Sequence, residues 1–201
     1  NKKSITVSRS FGNIVSDKGN LEKALANHVA RAAEKLRYQN SICSGVYIFL
    51  NTNRFREQDA QYSNCAMINL DDPTNDTAII IKKSFKLLES IYRSNYSYKK
   101  IGITLLDIKQ NGKNNIESNN VIQSDLFTYT RNRQDNKGSE VCMKLLDDLN
   151  TRMGKMTLFY GSQGIQKQSR KIKVNKEKWP MKSSYKSPFY TTNWNDILKV
   201  P

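Results

Sequence analysis

Hydrophobic and polar residues follow one another along residues 1–108 in a pattern that predicts four strands and two helices. Alternation with a period of two is typical of a half-buried strand, whereas apolar residues three to four positions apart indicate an amphipathic helix. Strands are predicted at 4–11, 45–51, 65–70 and 100–108, and helices at 21–38 and 78–94. The order β-α-β-β-α-β predicts an α+β sandwich in which two helices cover one face of a four-stranded sheet.

Local features refine these elements. The run 46–50 is apolar at every position, which predicts a central, well-covered strand. The sequence Asp71-Asp72-Pro73 is expected to end the third strand, because proline cannot donate to a β-ladder. Asp76 or Thr77 can cap the second helix. His28 lies on the apolar stripe of the first helix and is interpreted as a packed core residue.

The pattern changes after residue 108. Residues 109–137 are rich in asparagine and lose their periodicity, so they are predicted to form a flexible linker after a first domain at 1–108. Val141, Leu145 and Leu149 predict a helix over 139–153, and 156–160 a short strand. Residues 138–201 are therefore predicted to form a basic C-terminal extension, a small α/β or partly irregular region.

The excess of positive charge limits the range of expected binding partners. The chain has 33 Lys and Arg against 18 Asp and Glu, a net charge of +15. Nucleic acid is the commonest partner for such a surface, because each neutralised phosphate releases a condensed counterion. An acidic membrane surface and plain solvation are the alternatives. No segment approaches the roughly 20 apolar residues that span a bilayer. No cationic start followed by an apolar core is seen, so a secretory signal is not expected.

The numbers and spacing of cysteine and histidine argue against several further classes of protein. The three cysteines form no CxxC pair, which argues against a disulfide framework and against zinc and fits a reducing cytoplasm. A single histidine almost excludes a histidine-based catalytic triad or metal cluster.

Several short motifs occur in order along the chain. They are Ser8-Arg9-Ser10-Phe11-Gly12, Arg31-Ala32-Ala33-Glu34-Lys35-Leu36-Arg37, Pro73-Thr74-x-Asp76-Thr77, Tyr98-x-Lys100-x-Gly102, Asp147-x-Leu149-Asn150-x-Arg152-x-Gly154 and Ser187-Pro188-x-Tyr190-Thr191-Thr192-x-Trp194. Together they resemble the little-finger domain and C-terminal extension of the UmuC-type translesion DNA polymerases of the Y family. The resemblance spans essentially the whole chain.

The resemblance implies an error-prone polymerase of the SOS response and DNA repair, whose fingers, palm and thumb would precede residue 1. A little finger has the β-α-β-β-α-β fold, which agrees with the pattern above. The magnesium-binding carboxylates of the palm have no counterpart here. Asp71-Asp72 is interpreted as part of a turn and Asp147-Asp148 as part of a solvated helix face. The fragment is expected to hold no cofactor and not to polymerise by itself, whereas the parent enzyme would use magnesium.

One segment of the predicted linker resembles a bacterial sliding-clamp binding pentapeptide: Gln123-Ser124-Asp125-Leu126-Phe127. In such a peptide, the leucine and phenylalanine enter an apolar pocket and the glutamine amide orients the strand. Two adjacent apolar residues in a polar linker favour a docking function over a small satellite core contact. A sliding clamp is thus an expected partner.

The predicted sheet has a face without helices, which is expected to hold duplex primer-template DNA. Alternation directs a set of short polar side chains to that face: Thr6, Ser8, Ser10, Asn51 and Thr104. Basic residues at strand ends are expected to neutralise phosphates: Arg9, Arg54, Lys99 and Lys100. Contacts would go to the DNA backbone without sequence preference.

The basic C-terminal tail carries aromatic residues among its lysines. Candidate contacts are Lys171, Lys173, Trp179 and Trp194. Basic residues interleaved with aromatics can bind single strands by stacking. The resemblance implies protein partners instead, namely a processed UmuD-like subunit and possibly a recombinase filament, and the tryptophans could also form the core of a small fold. A DNA-holding region, a protein-interaction module and an unrelated nucleic-acid binder therefore remain open.

Overall fold

The computed structural model describes residues 2–111, 129–154 and 156–164, with backbone only for 129–137. The elements are β1 Ile5–Val15, α1 Lys18–Tyr38, β2 Ser41–Thr52, β3 Ser63–Thr74, α2 Thr77–Ile91, β4 Tyr98–Gln110, α3 Tyr129–Arg152 and a 3-10 turn Gly161–Gln163. The predicted β-α-β-β-α-β order of the first domain is confirmed. Each strand extends beyond its predicted bounds, because backbone pairing continues where the hydrophobic alternation has stopped.

The four strands form an antiparallel sheet in the order β1-β4-β2-β3. Both α1 and α2 pack on the same side of it, as predicted. Between them lies a core of fully buried aliphatic side chains drawn from helices and sheet: Leu21, Leu25, Leu36, Ile48, Leu50, Ile80, Leu88, Ile101, Ile103 and Leu105. Removing this apolar surface from water is the main stabilising contribution to such a domain. His28 is 5% exposed, which confirms its prediction as a core residue.

Two aspartates determine where the helices begin. The Asp17 side chain accepts a hydrogen bond from the backbone N–H of Asn20 at 2.9 Å, so α1 begins at Lys18 rather than at residue 21. Residues 17–20 therefore form the capped first turn of the helix. Asp76 caps α2 by accepting from the backbone N–H groups of Ala78 and Ile79 at 2.7 and 3.3 Å.

The predicted end of the third strand at Pro73 is wrong. Strand β3 continues through Pro73 to Thr74. The strand lies at the edge of the sheet, where one side of its backbone has no partner strand and proline is tolerated. Asp71 is therefore a strand residue rather than a turn residue, and its carboxylate accepts a hydrogen bond from Lys83 Nζ at 2.8 Å.

The region after β4 also differs from the prediction. Helix α3 begins at Tyr129, within the segment predicted as linker, and β4 continues to Gln110. No strand forms among the described residues of 156–160, which instead make a turn that leads into the 3-10 turn. Short apolar runs do not distinguish strands from compact turns by periodicity alone.

Hydrogen bonds and an ion pair of Arg37, a residue of α1, connect helix α3 to the first domain. The Arg37 guanidinium donates from Nε to Asp147 Oδ2 at 2.6 Å and from Nη2 to Asp147 Oδ1 at 2.8 Å. It also donates from Nη1 to the Asn75 carbonyl and to Thr77 Oγ1, at 2.9 and 2.8 Å. Asp147 is thus an ion-pair partner, and its interpretation as a solvated residue is wrong.

Two further contacts extend this junction. Ser139 of α3 donates to the second carboxylate oxygen of Asp76, the cap of α2. In the 3-10 turn, the Gln163 carbonyl accepts from the Asn27 amide at 2.9 Å, and the Gln163 amide donates to Asn27 Oδ1 at 3.3 Å. In the described part of the chain, no helix is long and apolar enough to cross a membrane.

Candidate nucleic-acid interface

The side of the sheet opposite α1 and α2, here called the open face, is uncovered by any of the helices described. Its residues form rows across the strands. The first row is Ser10, Lys100, Asn51 and Ser63, the second is Ser8, Gly102, Phe49 and Cys65, and the third is Thr6, Thr104, Tyr47 and Met67. Polar residues therefore occupy β1 and one end of the sheet, and apolar residues the middle of β2 and β3.

The short polar residues predicted for this face lie together on it. Thr6 and Thr104 are partners in the β1–β4 register, and their hydroxyl oxygens are 2.9 Å apart. The side-chain oxygen of Asn51 accepts a hydrogen bond from the Ser63 hydroxyl at 2.9 Å. These groups are preorganised by one another, an arrangement suited to positioning phosphate oxygens.

The four predicted basic residues are distributed differently. Lys100 lies on the open face, with its Nζ 5.5 Å from the centre of the Phe49 ring. Arg54 is exposed in the loop between β2 and β3. Lys99 is half-buried, and its Nζ donates to the Phe11 carbonyl at 2.6 Å, so it satisfies a backbone acceptor.

Arg9 was predicted at a strand end, and that placement is wrong. Strand β1 continues to Val15, which leaves Arg9 in mid-strand. Its partner in β4 is Ile101, a fully buried core residue, so Arg9 belongs to the helix-covered side of the sheet. Since β1 is an edge strand, the side chain nevertheless reaches solvent.

The aromatic centre of the open face was missed by the sequence analysis. Strand β2 is central, as predicted, but covered on one face only: Tyr47 and Phe49 are half-buried on the other. Phe49 lies over Gly102, where an added Cβ would come within 2.4 Å of the Phe49 Cζ atom. The alternation that directs Asn51 to the open face also directs the rings of Tyr47 and Phe49 there. The period of two in this strand was therefore sufficient to predict their position.

Tyr47 contributes a neutral polar group to that centre. A hydrogen bond with the Cys65 side chain, more than its slight burial, raises the pKa of the Tyr47 phenol above its ordinary value. The phenol therefore stays uncharged at neutral pH. A neutral phenol does not repel the phosphates of a nucleic acid.

The loop between β2 and β3 extends beyond the first row and presents an exposed aromatic side chain. The Gln61 amide nitrogen donates to the carbonyls of Asn53, Arg56 and Asp59 at 3.2, 2.9 and 3.0 Å. These hydrogen bonds hold the loop in a conformation in which Phe55, next to Arg54, is 88% exposed. Sequence reasoning identified Arg54 but not the aromatic group beside it.

The remaining predicted residues lie outside the described residues. They are the pentapeptide Gln123, Ser124, Asp125, Leu126 and Phe127, and the tail residues Lys171, Lys173, Trp179 and Trp194. Within 2–111, 138–154 and 156–164, no group of three or more His, Cys, Asp or Glu side chains could hold a metal ion.

The sequence matches two known protein families. Residues 2–126 match the impB/mucB/samB family C-terminal domain. The chain belongs to this family. Residues 142–200 match a second family, a domain of unknown function (DUF4113). The second match begins within α3 and continues through the C-terminal tail.

Individual relatives agree with this assignment. The chain is 36% identical over 199 residues to the protein UmuC of Salmonella typhimurium, covering 99% of this chain and 42% of that protein. It is 34% identical over 196 residues to the protein MucB of Escherichia coli, covering 98% and 41%. The resemblance to the UmuC type is confirmed, and the chain spans about two fifths of the length of these relatives.

Among solved structures, the chain is similar to a complex of the beta-clamp processivity factor and the little finger domain of PolIV. The two share 12% sequence identity with a TM-score of 0.38, covering 51% of this chain and 86% of that one. That score is too low to bear on fold or function.

Proposed function

We propose that this chain is the DNA-holding and clamp-tethering C-terminal region of an error-prone translesion DNA polymerase. The observation that carries the proposal is the open face of the sheet, which presents the paired hydroxyls of Thr6 and Thr104 and, two rows away, Lys100. Membership of the impB/mucB/samB family supports the same function. A region that holds DNA beside a separate catalytic domain needs no catalytic residues of its own.

The chemistry of the face favours contact with the DNA backbone. Hydroxyl and amide groups with backbone N–H groups suit phosphate oxygens, and Lys100 supplies a positive charge. The rings of Tyr47 and Phe49 provide an apolar floor for deoxyribose. Because phosphates and sugars are the same at every step, such a face would hold duplexes of any sequence, as lesion bypass requires.

A salt titration of duplex affinity tests this function. If about four to six phosphates are neutralised, the slope of log affinity against log salt should be about −3 to −5. Two duplexes of equal length and unrelated sequence should bind equally. An affinity independent of salt, or a preference for one sequence, would contradict the proposal.

The clamp-tethering function rests on the pentapeptide at 123–127. Replacing both anchors, Leu126→Ala with Phe127→Ala, is expected to abolish binding to the bacterial sliding clamp, since each buried anchor contributes about 2 kcal/mol or more. Val141→Ala with Leu145→Ala is a matched control that removes two apolar side chains from α3. Unchanged clamp affinity in the 126/127 variant would rule the motif out. A weak tether of this kind would raise the effective concentration of the sheet near the primer end.

Magnesium chemistry is assigned, within the same proposal, to catalytic domains of a longer parent polymerase. Three of the four acidic residues that were candidates form ion pairs: Asp71 with Lys83, Asp147 with Arg37 and Asp148 with Arg152. A carboxylate already paired with a cation is a poor ligand for a second one. The fragment alone is therefore expected to incorporate no nucleotide.

A protein-interaction module is the second candidate, and the surface of α3 favours it. Val141 and Leu145 of α3 are each 57% exposed, and Met153, directly after the helix, is 70% exposed, so apolar side chains face solvent in this described segment. The partner would be a processed UmuD-like subunit or a recombinase filament. If the chain is a protein-interaction module, Val141→Ser with Leu145→Ser should weaken partner binding in a pull-down and leave duplex affinity unchanged.

A further inference from the structure

A cleft lies between the first domain and the C-terminal segment, and it reaches Ser8 of the open face. Its volume is about 330 Å³. One wall is formed by β1 and α1, with Arg9, His28 and Arg31, and the other by residues 156–163, including Phe159 and Tyr160. Pockets of a few hundred Å³ are the usual size for a small-molecule site.

The wall formed by α1 contains a buried nitrogen without a partner. His28 is 5% exposed, and its Nε2 makes no hydrogen bond within the described ranges. Buried polar atoms are nearly always hydrogen-bonded, so an unpaired one beside a cavity indicates that a ligand or water completes it. Burial, and then the positive charges of Arg9 and Arg31, lower the pKa of His28 to about 4.

Two arginines converge on the same wall from different elements. Both Arg9 of β1 and Arg31 of α1 are exposed, and neither forms a hydrogen bond or an ion pair with a carboxylate of the described residues. Of the acidic groups that line the cleft, Asp147 is committed to Arg37, which leaves Glu34 as the opposing charge. The guanidinium group forms paired hydrogen bonds with phosphate oxygens, so this wall suits a phosphate.

The opposite wall is apolar and aromatic. Leu158 is 45% exposed and Phe159 39% exposed, while Met156 and Tyr160 are half-buried. Burial raises the pKa of the Tyr160 phenol, which therefore stays neutral and does not repel an anion. Flat aromatic surfaces beside basic groups are typical sites for stacked nucleobases.

We propose that this cleft binds a nucleotide, with its phosphate on Arg9, Arg31 and His28 and its base against Phe159 and Tyr160. The nucleotide is either free or part of a single strand. The proposed phosphate and base contacts do not include Thr6, Thr104 or Lys100, the open-face groups assigned to the duplex, although Ser8 lines both surfaces. A bound phosphate would favour the imidazolium form of His28 and offset the repulsion from the two arginines.

The only histidine of the chain provides a direct readout, because its imidazole signals need no assignment. The experiment is an NMR titration of the untagged full chain at pH 7 with thymidine 5′-monophosphate. The His28 signals should shift and saturate, and the pKa of His28 should rise in the presence of the nucleotide. Arg9→Gln with Arg31→Gln should weaken binding by about tenfold or more, since charge-assisted hydrogen bonds to phosphate are lost.

A matched control is Lys82→Gln with Lys86→Gln, which removes two exposed charges from α2. The control should leave nucleotide affinity within about twofold, because screened charges outside a site contribute little. Equal losses in both variants, or His28 signals unmoved by the nucleotide, would overturn the proposal. Inorganic phosphate binding as tightly as the nucleotide would also overturn it, because the aromatic wall would then contribute nothing.

Two further ligands distinguish the source of the nucleotide. A five-nucleotide single strand that binds more tightly than the monophosphate and shifts the same His28 signals identifies a strand as the ligand. A strand that binds more weakly identifies a free nucleotide. The duplex salt titration described above is independent of both, so failure of the cleft proposal and failure of the proposed function are separately visible.

Discussion

The two faces of one sheet have opposite characters in this molecule. The helix-covered face is mainly aliphatic, with the fully buried Ile48, Ile103 and Leu105 at its centre. The open face has hydroxyl groups on β1, a lysine at one end and half-buried rings in the middle. Strand residues alternate between these faces, so each strand contributes both to stability and to binding. The comparison predicts that substitutions on one side act on folding and on the other side mainly on ligands.

The largest expected difference is in stability. Leu25→Ala, on α1 against the covered face, should lower the free energy of unfolding by about 3 kcal/mol, through lost transfer energy and a cavity. Met67→Ala, at a 57% exposed position on the open face, should cost less than about 1 kcal/mol. Urea unfolding of the two variants measures both. Equal costs would mean that the open face is covered as well.

Stability should also depend on pH through His28 on the covered side. The folded pKa is about 4, and the ordinary value is 6.5. Between these values the unfolded chain binds the proton more readily, so the free energy of unfolding should fall as pH decreases from 6.5 to 4, and no such loss occurs above pH 6.5. The full effect is about 3 kcal/mol. His28→Gln should flatten this part of the urea-derived pH profile, and an unchanged profile would contradict the assignment.

An intermediate effect on stability is expected at Gly102, where the open face has no space for an added side chain. Gly102→Ala would place a methyl group within 2.4 Å of Phe49 and 2.5 Å of Ser8, and should destabilise the fold by about 1–3 kcal/mol. Gly138→Ala in α3, where nothing lies within 4 Å, is the matched control and should stabilise by about 0.5–1 kcal/mol. Thermal unfolding distinguishes the two signs. A neutral Gly102→Ala would show that the ring moves freely.

The smallest expected effect concerns charge on the open face. Lys100→Gln should reduce the magnitude of the proposed salt slope of duplex binding by about 0.9, the contribution of one phosphate contact. Lys82→Gln on α2, on the covered side, should leave the slope unchanged. A larger change in the Lys82 variant than in the Lys100 variant would place the duplex on the helices instead.

Local periodicity explains which parts of the fold were predictable. The stripe through Leu21, Leu25 and Leu36 and the alternation in β4 are properties of neighbouring residues, so both elements and their order could be predicted. The same alternation assigned Thr6 and Thr104 to one face. Pro73 was misjudged because its tolerance depends on β3 being an edge strand, which no local pattern states.

Candidate sites were less predictable, because they depend on residues distant in sequence. Asp147 was interpreted as solvated, yet its partner Arg37 lies 110 residues earlier in the chain. Arg9 was placed at a strand end because the hydrophobic alternation stops before β1 does. Phe49 was hidden in a run of apolar residues whose two faces have different environments.

The sequence by itself determined the element order, the polar composition of β1 and the basic character of the surface, because propensity, side-chain period and charge are local or additive properties. Only the tertiary structure decided that β3 is an edge, that Arg37 joins three separate segments, and that the cleft brings His28, Arg9 and Arg31 together. The physical reason is that these contacts follow from the pairing order of the strands and the docking of α3. Both are set by packing of the whole chain rather than by any short segment.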